Sequence, residues 1–344
     1  MIDSSKIKNI LIIQTAYLGD VILTLPLIQF LKNKLPNTTV SLLSIPELSE
    51  ILNPNPLIDE IIYYDKRKNR KFSYLFEIIK LIKSKKYDLI ISPHRSFRST
   101  FISTFSGVKN RITFNNSSLS FLYNYIVRYN KNKHEILRNL DLLKPLDFNS
   151  EEIIKPKLYI SKEKEKKIDE YVKINQIPEK FITIAPGSVW FTKQFPKEKF
   201  VNLINGLNEN IYVVLIGGEK DMETGDFIKT RVSNRKIHNA IGKLSIPESA
   251  ELIRRSQMLI ANDSAPLHLA NAVETNVAAI FGSTIPNFGF YPIGKNDAIF
   301  EIKNLYCRPC GIHGHKECPE KHFRCMLDIN EQEISKYVNS KILN

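Results

Sequence analysis

Along almost all of this 344-residue chain, short apolar runs of β-type residues alternate with stretches of helical length. A strand, a helix and a second strand in succession form a parallel pair, because the crossover brings the chain back in the same direction. The alternation therefore predicts parallel sheets covered by helices. In the first half, residues 9–14, 39–43, 60–64 and 89–92 read as strands, with helices over 20–34 and 72–83. A second cycle opens after Pro156, with strands at 181–185, 212–216, 258–261 and 277–281. Its helices are 162–175, 197–207, 226–233, 246–255 and the segment after Ser264. The expected architecture is α/β: a Rossmann-like domain over residues 1–158 and another over 159–328, doubly wound and facing across a ligand-binding cleft. Residues 329–344 form a closing helix, and the sequence leaves open whether it returns to the first domain.

Composition is that of an ordinary globular protein, 43% hydrophobic and 25% charged. No apolar stretch approaches the roughly 20 residues of a membrane span. The run at 10–13 is too short for a signal peptide, so a cytoplasmic, soluble protein is expected. The net charge of +13 is concentrated. Between Tyr64 and Arg111 thirteen Lys and Arg face three acids. Such an excess draws an anionic partner, a phosphorylated lipid or a membrane surface, and part of it is simply solvated lysine. Nucleic acid is excluded for want of any recognition signature.

Four strand-to-helix turns carry residues suited to chemistry. Strand 9–14 runs into Leu18-Gly19-Asp20, where a single glycine replaces the three of a dinucleotide fingerprint. Asp20 there can cap a helix or take a proton from a hydroxyl. Pro186-Gly187-Ser188 follows strand 181–185, and Lys193 shortly after supplies a cation for a phosphate. Gly217-Gly218 with Asp221 follows strand 212–216. The last turn, Asn262-Asp263-Ser264-Ala265-Pro266-Leu267-His268, puts a carboxylate, a hydroxyl and an imidazole at a helix start. The N–H groups of a helix start receive anions, which suits a sugar on a phosphate. Each turn taken alone is also a plain capped loop.

In this order and at these spacings the four turns resemble the ADP-heptose:lipopolysaccharide heptosyltransferases, glycosyltransferase family 9 of the GT-B class, over essentially the whole chain. His94-Arg95-Ser96-x-Arg98-Ser99 and His134-Glu135-x-x-Arg138-Asn139-Leu140 add to the resemblance. It implies an inverting transfer of heptose from ADP-heptose to the inner core of lipid A-linked lipopolysaccharide, with no cofactor needed for catalysis. By position, Asp20 is the implied general base. Ser188, Lys193, Asp221, Asp263, Ser264, Ala265 and His268 are the implied donor site. Arg95, Arg98 and His134 become acceptor-side candidates, an arginine fork being apt for a carboxylate. The implied location is the cytoplasmic face of the inner membrane, on anionic lipid. A protein acceptor, another nucleotide sugar, or a non-catalytic sugar-nucleotide or lipid-binding role stay open as alternatives.

All four cysteines fall within 307–325, as Cys307, Cys310, Cys318 and Cys325. In a reducing compartment that cluster predicts a structural zinc or iron site, with buried reduced thiols as the alternative. Some members of the resembled family carry a similar cysteine segment, and related autotransporter heptosyltransferases hold iron in one. This spacing is more compact than theirs.

Overall fold

A computed structural model describes residues 1–65, 72–233 and 236–343. The cationic residues at 66–68, 70 and 71, part of the basic run, lie outside it. The chain divides into two compact units, Met1–Tyr159 and Ile160–Asn344.

The first unit holds one six-stranded parallel sheet: β1 (Asn9–Ile13), β2 (Thr39–Ser44), β3 (Glu60–Tyr63), β4 (Leu89–Ser92), β5 (Asn110–Phe114) and β6 (Tyr125–Val127). The spatial order is β3-β2-β1-β4-β5-β6. The second unit holds β7 (Phe181–Ala185), β8 (Tyr212–Leu215), β9 (Ile237–Asn239), β10 (Leu259–Asn262), β11 (Val277–Phe281) and β12 (Ala298–Glu301). Its order, β12-β11-β10-β7-β8-β9, is the same winding repeated. The inner strands are apolar throughout because helices cover both faces of each sheet. Register follows from this, with Ile10 opposite Val40 and Leu89 in one sheet, and Ile260 opposite Ile184 and Ala278 in the other.

The helix expected over 20–34 is two, Leu18–Ile22 and Leu25–Lys34. The Thr24 hydroxyl donates to Asp20 O at 2.8 Å, and Pro26 has no N–H to give to Ile22, so the ladder breaks between them. Four strands escaped the sequence pattern. Three of them (β6, β9, β12) are sheet edges of three or four residues, too short to show a period, and β5 opens with the polar pair Asn110-Arg111. The closing helix, Glu331–Ile342, packs on the Lys197–Asn205 helix of the second unit. Lys199 pairs with Glu331 at 2.6 Å, and Ser335 Oγ donates to Leu203 O at 2.8 Å. Among the described residues no helix is long and apolar enough to cross a membrane.

Candidate active site

In each sheet the winding reverses between two neighbouring strands, β1 and β4 in the first and β7 and β10 in the second. Loops diverge at such a point and leave a crevice at the strands' carboxyl ends. Apart from His134, which follows β6, the residues expected to do chemistry leave from these four strands and from β8.

At the first switch point, β1 leads through Gln14 and Thr15 into the helix bearing Asp20. Asp20 is partly buried, and its carboxyl is raised to about 6. Loss of hydration is the main cause, the negative charge of Glu135 adds to it, and Arg95 pulls the other way. After β4, His94 Nδ1 lies 2.9 Å from both Thr15 Oγ1 and Ser99 Oγ, fastening the β4 loop to the β1 loop. This holds Arg95 over the Tyr129 ring, 4.5 Å from its centroid. Arg138, fully buried, lies 4.7 Å from the same ring. Its Nη1 donates to Glu135 Oε2 at 2.8 Å and to Tyr129 Oη at 2.7 Å, while Tyr129 Oη donates to Glu135 Oε2 at 2.8 Å. Asn139 Nδ2 donates to Leu23 O, which brings the Glu135–Asp141 helix beside the Asp20 helix.

The structure therefore gathers Asp20 and Arg95, together with Glu135, read in the sequence only as part of a motif, and Tyr129, which sequence reasoning did not single out. The legible signal was the spacing Glu135-x-x-Arg138, which puts both side chains on one helical face. Arg98 goes elsewhere, to the buried phenol of Tyr64. His134, expected at the acceptor, is only 2% exposed, and its Nδ1 accepts from Ile136 N at 3.2 Å as the cap of the following helix.

At the second switch point, Asn262 at the end of β10 donates through Nδ2 to Pro186 O at 2.8 Å and accepts from Phe195 N at 3.1 Å. The β7 loop is thereby tied to β10 at both ends. Lys193, in the short 3₁₀ turn Phe191–Lys193, places Nζ 2.6 Å from Asp263 Oδ2. Asp263 is 6% exposed and also accepts from Thr284 Oγ1 at 2.6 Å. The next residue, Ser264, precedes the Ala265–Ala272 helix without capping it through its side chain. His268 is buried on that helix, its ring 6.4 Å from Phe290. Ser188 is held through its carbonyl, which accepts from Gln194 Nε2 at 2.6 Å.

Asp221 accepts from Gly218 N at 3.0 Å, and burial raises its carboxyl above the usual range. A Cβ on Gly187 would overlap the Asp221 carboxylate, so the glycine is there to let that side chain close on the β7 loop. Gly187→Ala is expected to cost about 1–3 kcal/mol in thermal unfolding. Gly218→Ala, which meets nothing within 4 Å, should stay within about 0.5 kcal/mol of the parent.

The cysteine segment buttresses this loop. Thr192 N donates to His315 O at 3.1 Å, and His315 N donates to Thr192 Oγ1 at 2.8 Å. Buried Arg308 donates to Thr284 O at 2.6 Å and pairs with Glu301 at 2.6 Å, fixing the residue that holds Asp263. The four cysteines expected to hold a structural metal do come together. The thiols are neighbours, but Cys310 Sγ donates to Cys307 O, Cys318 Sγ accepts from Phe323 N, and Cys325 sits in the core. Burial, with the three other thiols, pushes Cys325 up to about 12. Among the described residues no three His, Cys, Asp or Glu are arranged to hold an ion.

Comparison with known proteins places this chain in a family. The model of "Glycosyltransferase family 9 (heptosyltransferase)" matches residues 75–323. Lipopolysaccharide heptosyltransferase 3 of Escherichia coli K12 is 27% identical over 293 residues, covering 78% of this chain and 80% of that protein. A family 9 glycosyl transferase from Veillonella parvula superposes with a TM-score of 0.87 at 22% identity, over 100% of this chain and 98% of that one. The ADP-heptose lps heptosyltransferase II of E. coli superposes with a TM-score of 0.79 at 19% identity, over 97% and 98%. The fold is that of the GT-B heptosyltransferases. With a family model spanning most of its length, this chain belongs to glycosyltransferase family 9, the heptosyltransferases.

Proposed function

We propose that this enzyme moves heptose from ADP-heptose to a hydroxyl of the lipopolysaccharide inner core, with inversion and without a metal. The observation that carries the reading is Asp20, a carboxyl raised to about 6 at the switch point of the first sheet. It is ionised at neutral pH yet basic enough to accept a proton from a sugar hydroxyl as that oxygen attacks. The donor side is supported by the Lys193–Asp263 pair beside the start of the Ala265–Ala272 helix. Departure of ADP builds charge on its diphosphate. An ammonium has three donors, so Lys193 can keep Asp263 and still reach a phosphate oxygen. The N–H groups of Ser264 and Ala265, at the positive end of the helix, favour the same anion. Asp263 orients Lys193 and offers its remaining lone pairs to heptose hydroxyls. Ser188 and His268 line the donor side, and Asp221 shapes it by closing on Gly187. On the acceptor side Arg95 takes a core carboxylate or phosphate, while Arg98 and His134 act from behind through Tyr64 and the helix cap. The enzyme works at the cytoplasmic face of the inner membrane, where its acceptor lipid is anchored.

Nucleotide release from a panel of sugar nucleotides, with and without heptose-deficient lipopolysaccharide, tests this. ADP release only when ADP-heptose and that acceptor are both present is the expected result. Release from a different donor, or none from folded protein, overturns it in favour of another transfer or a binding role.

A further inference from the structure

The Phe97–Phe105 helix carries aromatic side chains outward over an inner face rich in hydroxyls. Its inward positions are Ser99 (1% exposed), Ile102 (1%) and Ser103 (0%), with Thr100 beside them; Ile102 joins the apolar core, and the hydroxyls bond locally. Ser103 Oγ donates to Ser99 O at 2.9 Å, Tyr123 Oη donates to Ser103 Oγ at 3.1 Å, and Thr100 Oγ1 donates to Ser118 O at 2.6 Å. The outward positions are aromatic: Phe97 (48% exposed) and Phe105 (52%), with Phe101 between them. Spaced four apart, they stack along the helix, with ring centroids 5.7 Å apart for Phe97–Phe101 and 4.4 Å for Phe101–Phe105. Phe76 (55% exposed), on the neighbouring Phe72–Ser84 helix, extends the row 6.3 Å from Phe101. A ridge of half-exposed phenylalanines, with Phe101 partly packed on the core, leaves apolar surface where such a helix usually carries polar residues.

The ridge ends at a cationic basin. Ser106 and Gly107, which follow Phe105, line an open cavity of about 620 Å³ at the amino-terminal edge of the first sheet, the edge opposite Asp20. Lys6, Lys83, Lys86 and Lys109 stand around it. The acids there are Asp3, paired with Lys6 at 3.3 Å, and Asp88, whose carboxylate receives Lys8 N and Asn9 N at 2.9 Å each. Glu77 is the only acid on the exposed face of the Phe72–Ser84 helix. Positive charge is left in excess beside an apolar ridge. An anionic phospholipid bilayer meets both demands, with acyl chains for the rings and headgroup phosphates for the lysines.

We infer that the phenylalanine ridge Phe76/Phe97/Phe101/Phe105 inserts into anionic membrane while the adjoining lysine basin receives phospholipid headgroup phosphate. This extends the membrane part of the proposed function and does not depend on which sugar is transferred. The test is co-sedimentation of the full chain with vesicles of phosphatidylglycerol and phosphatidylethanolamine, and with neutral phosphatidylcholine vesicles. The parent should bind the anionic vesicles, with partition falling as salt rises and a salt-resistant remainder held by the rings. Phe76→Ser/Phe105→Ser should lose more than about tenfold in partition and all of that remainder. Lys83→Glu/Lys109→Glu should lose the salt-dependent part alone. Both variants should keep the parent's ADP release on a delipidated core acceptor and its thermal transition. Equal binding by parent and serine variant, equal binding to neutral vesicles, or inorganic phosphate abolishing vesicle binding would each overturn the inference. So would a serine variant that only changes the oligomeric state, which would mark the ridge as a contact between copies. Should the donor panel fail while vesicle binding follows the ridge, the transferase reading falls and the surface stands.

Discussion

Asp20→Asn is expected to lose about 10²–10⁴-fold in turnover, to keep donor affinity within about twofold, and to melt at a higher temperature than the parent. The stability gain separates a base from a cap, because losing a helix N-cap lowers stability instead. The folded-state pKa of Asp20 is raised from 3.8 to about 6. A group with a raised pKa binds its proton more tightly when folded, so its contribution falls as pH climbs from 3.8 to about 6 and stays level above. At neutral pH the ionised carboxylate therefore costs on the order of 3 kcal/mol, less what solvent access returns. Asparagine removes that cost and its pH dependence together. In the parent, kcat/KM should drop about tenfold per unit below pH 6 and level off above it. A flat profile between pH 5 and 8, or a less stable asparagine variant, would sink the assignment of Asp20 as the base.

Lys193→Met is the second large effect, and it acts on stability and donor binding at once. Methionine leaves the Asp263 carboxylate buried with Thr284 as its remaining side-chain partner. Stranding a buried charge costs about 3–5 kcal/mol, which should appear as a lowered melting transition. Lys193→Met/Asp263→Asn removes both charges and should recover most of that stability, since contacting residues couple strongly. Donor affinity should not recover. A charge-assisted bond to the diphosphate is worth about 1.5–3 kcal/mol, so both variants should bind ADP roughly 10- to 150-fold more weakly, measured by calorimetry. Recovery of ADP affinity in the double variant would mean that Lys193 serves only to neutralise Asp263.

Much of the candidate site was legible because its residues sit in turns where strand chemistry gives way to capping chemistry. Gly19-Asp20, Gly187-Ser188 and Asp263-Ser264-Ala265-Pro266 interrupt apolar runs with residues that make poor strand and good helix starts. A similar interruption at His134 and Asp221 also serves as a local cap. Both are polar residues at element starts, and the structure turns both inward, His134 onto Ile136 N and Asp221 onto Gly218 N. Cap and ligand contact look alike in sequence because the same lone pairs serve either one. The cysteine spacing is a different case. It permits a metal knuckle, and only the structure shows that Cys325 lies in the apolar core beside Met326 and Ile329 and that the segment props the Lys193 loop through His315.

What the sequence determined by itself is the alternating α/β architecture of both halves and the turns at their switch points. Periodicity and capping are local, written in residues three or four apart. The partnerships are what only tertiary structure decided. Glu135 comes to raise the pKa of Asp20 across more than a hundred residues, Arg95 separates from Arg98 though they are three residues apart, and Lys193 meets Asp263 seventy residues on. Each depends on which strands lie side by side in a sheet wound β3-β2-β1-β4 or β10-β7-β8-β9. That order is set by burying whole strand faces together, a property no single segment carries.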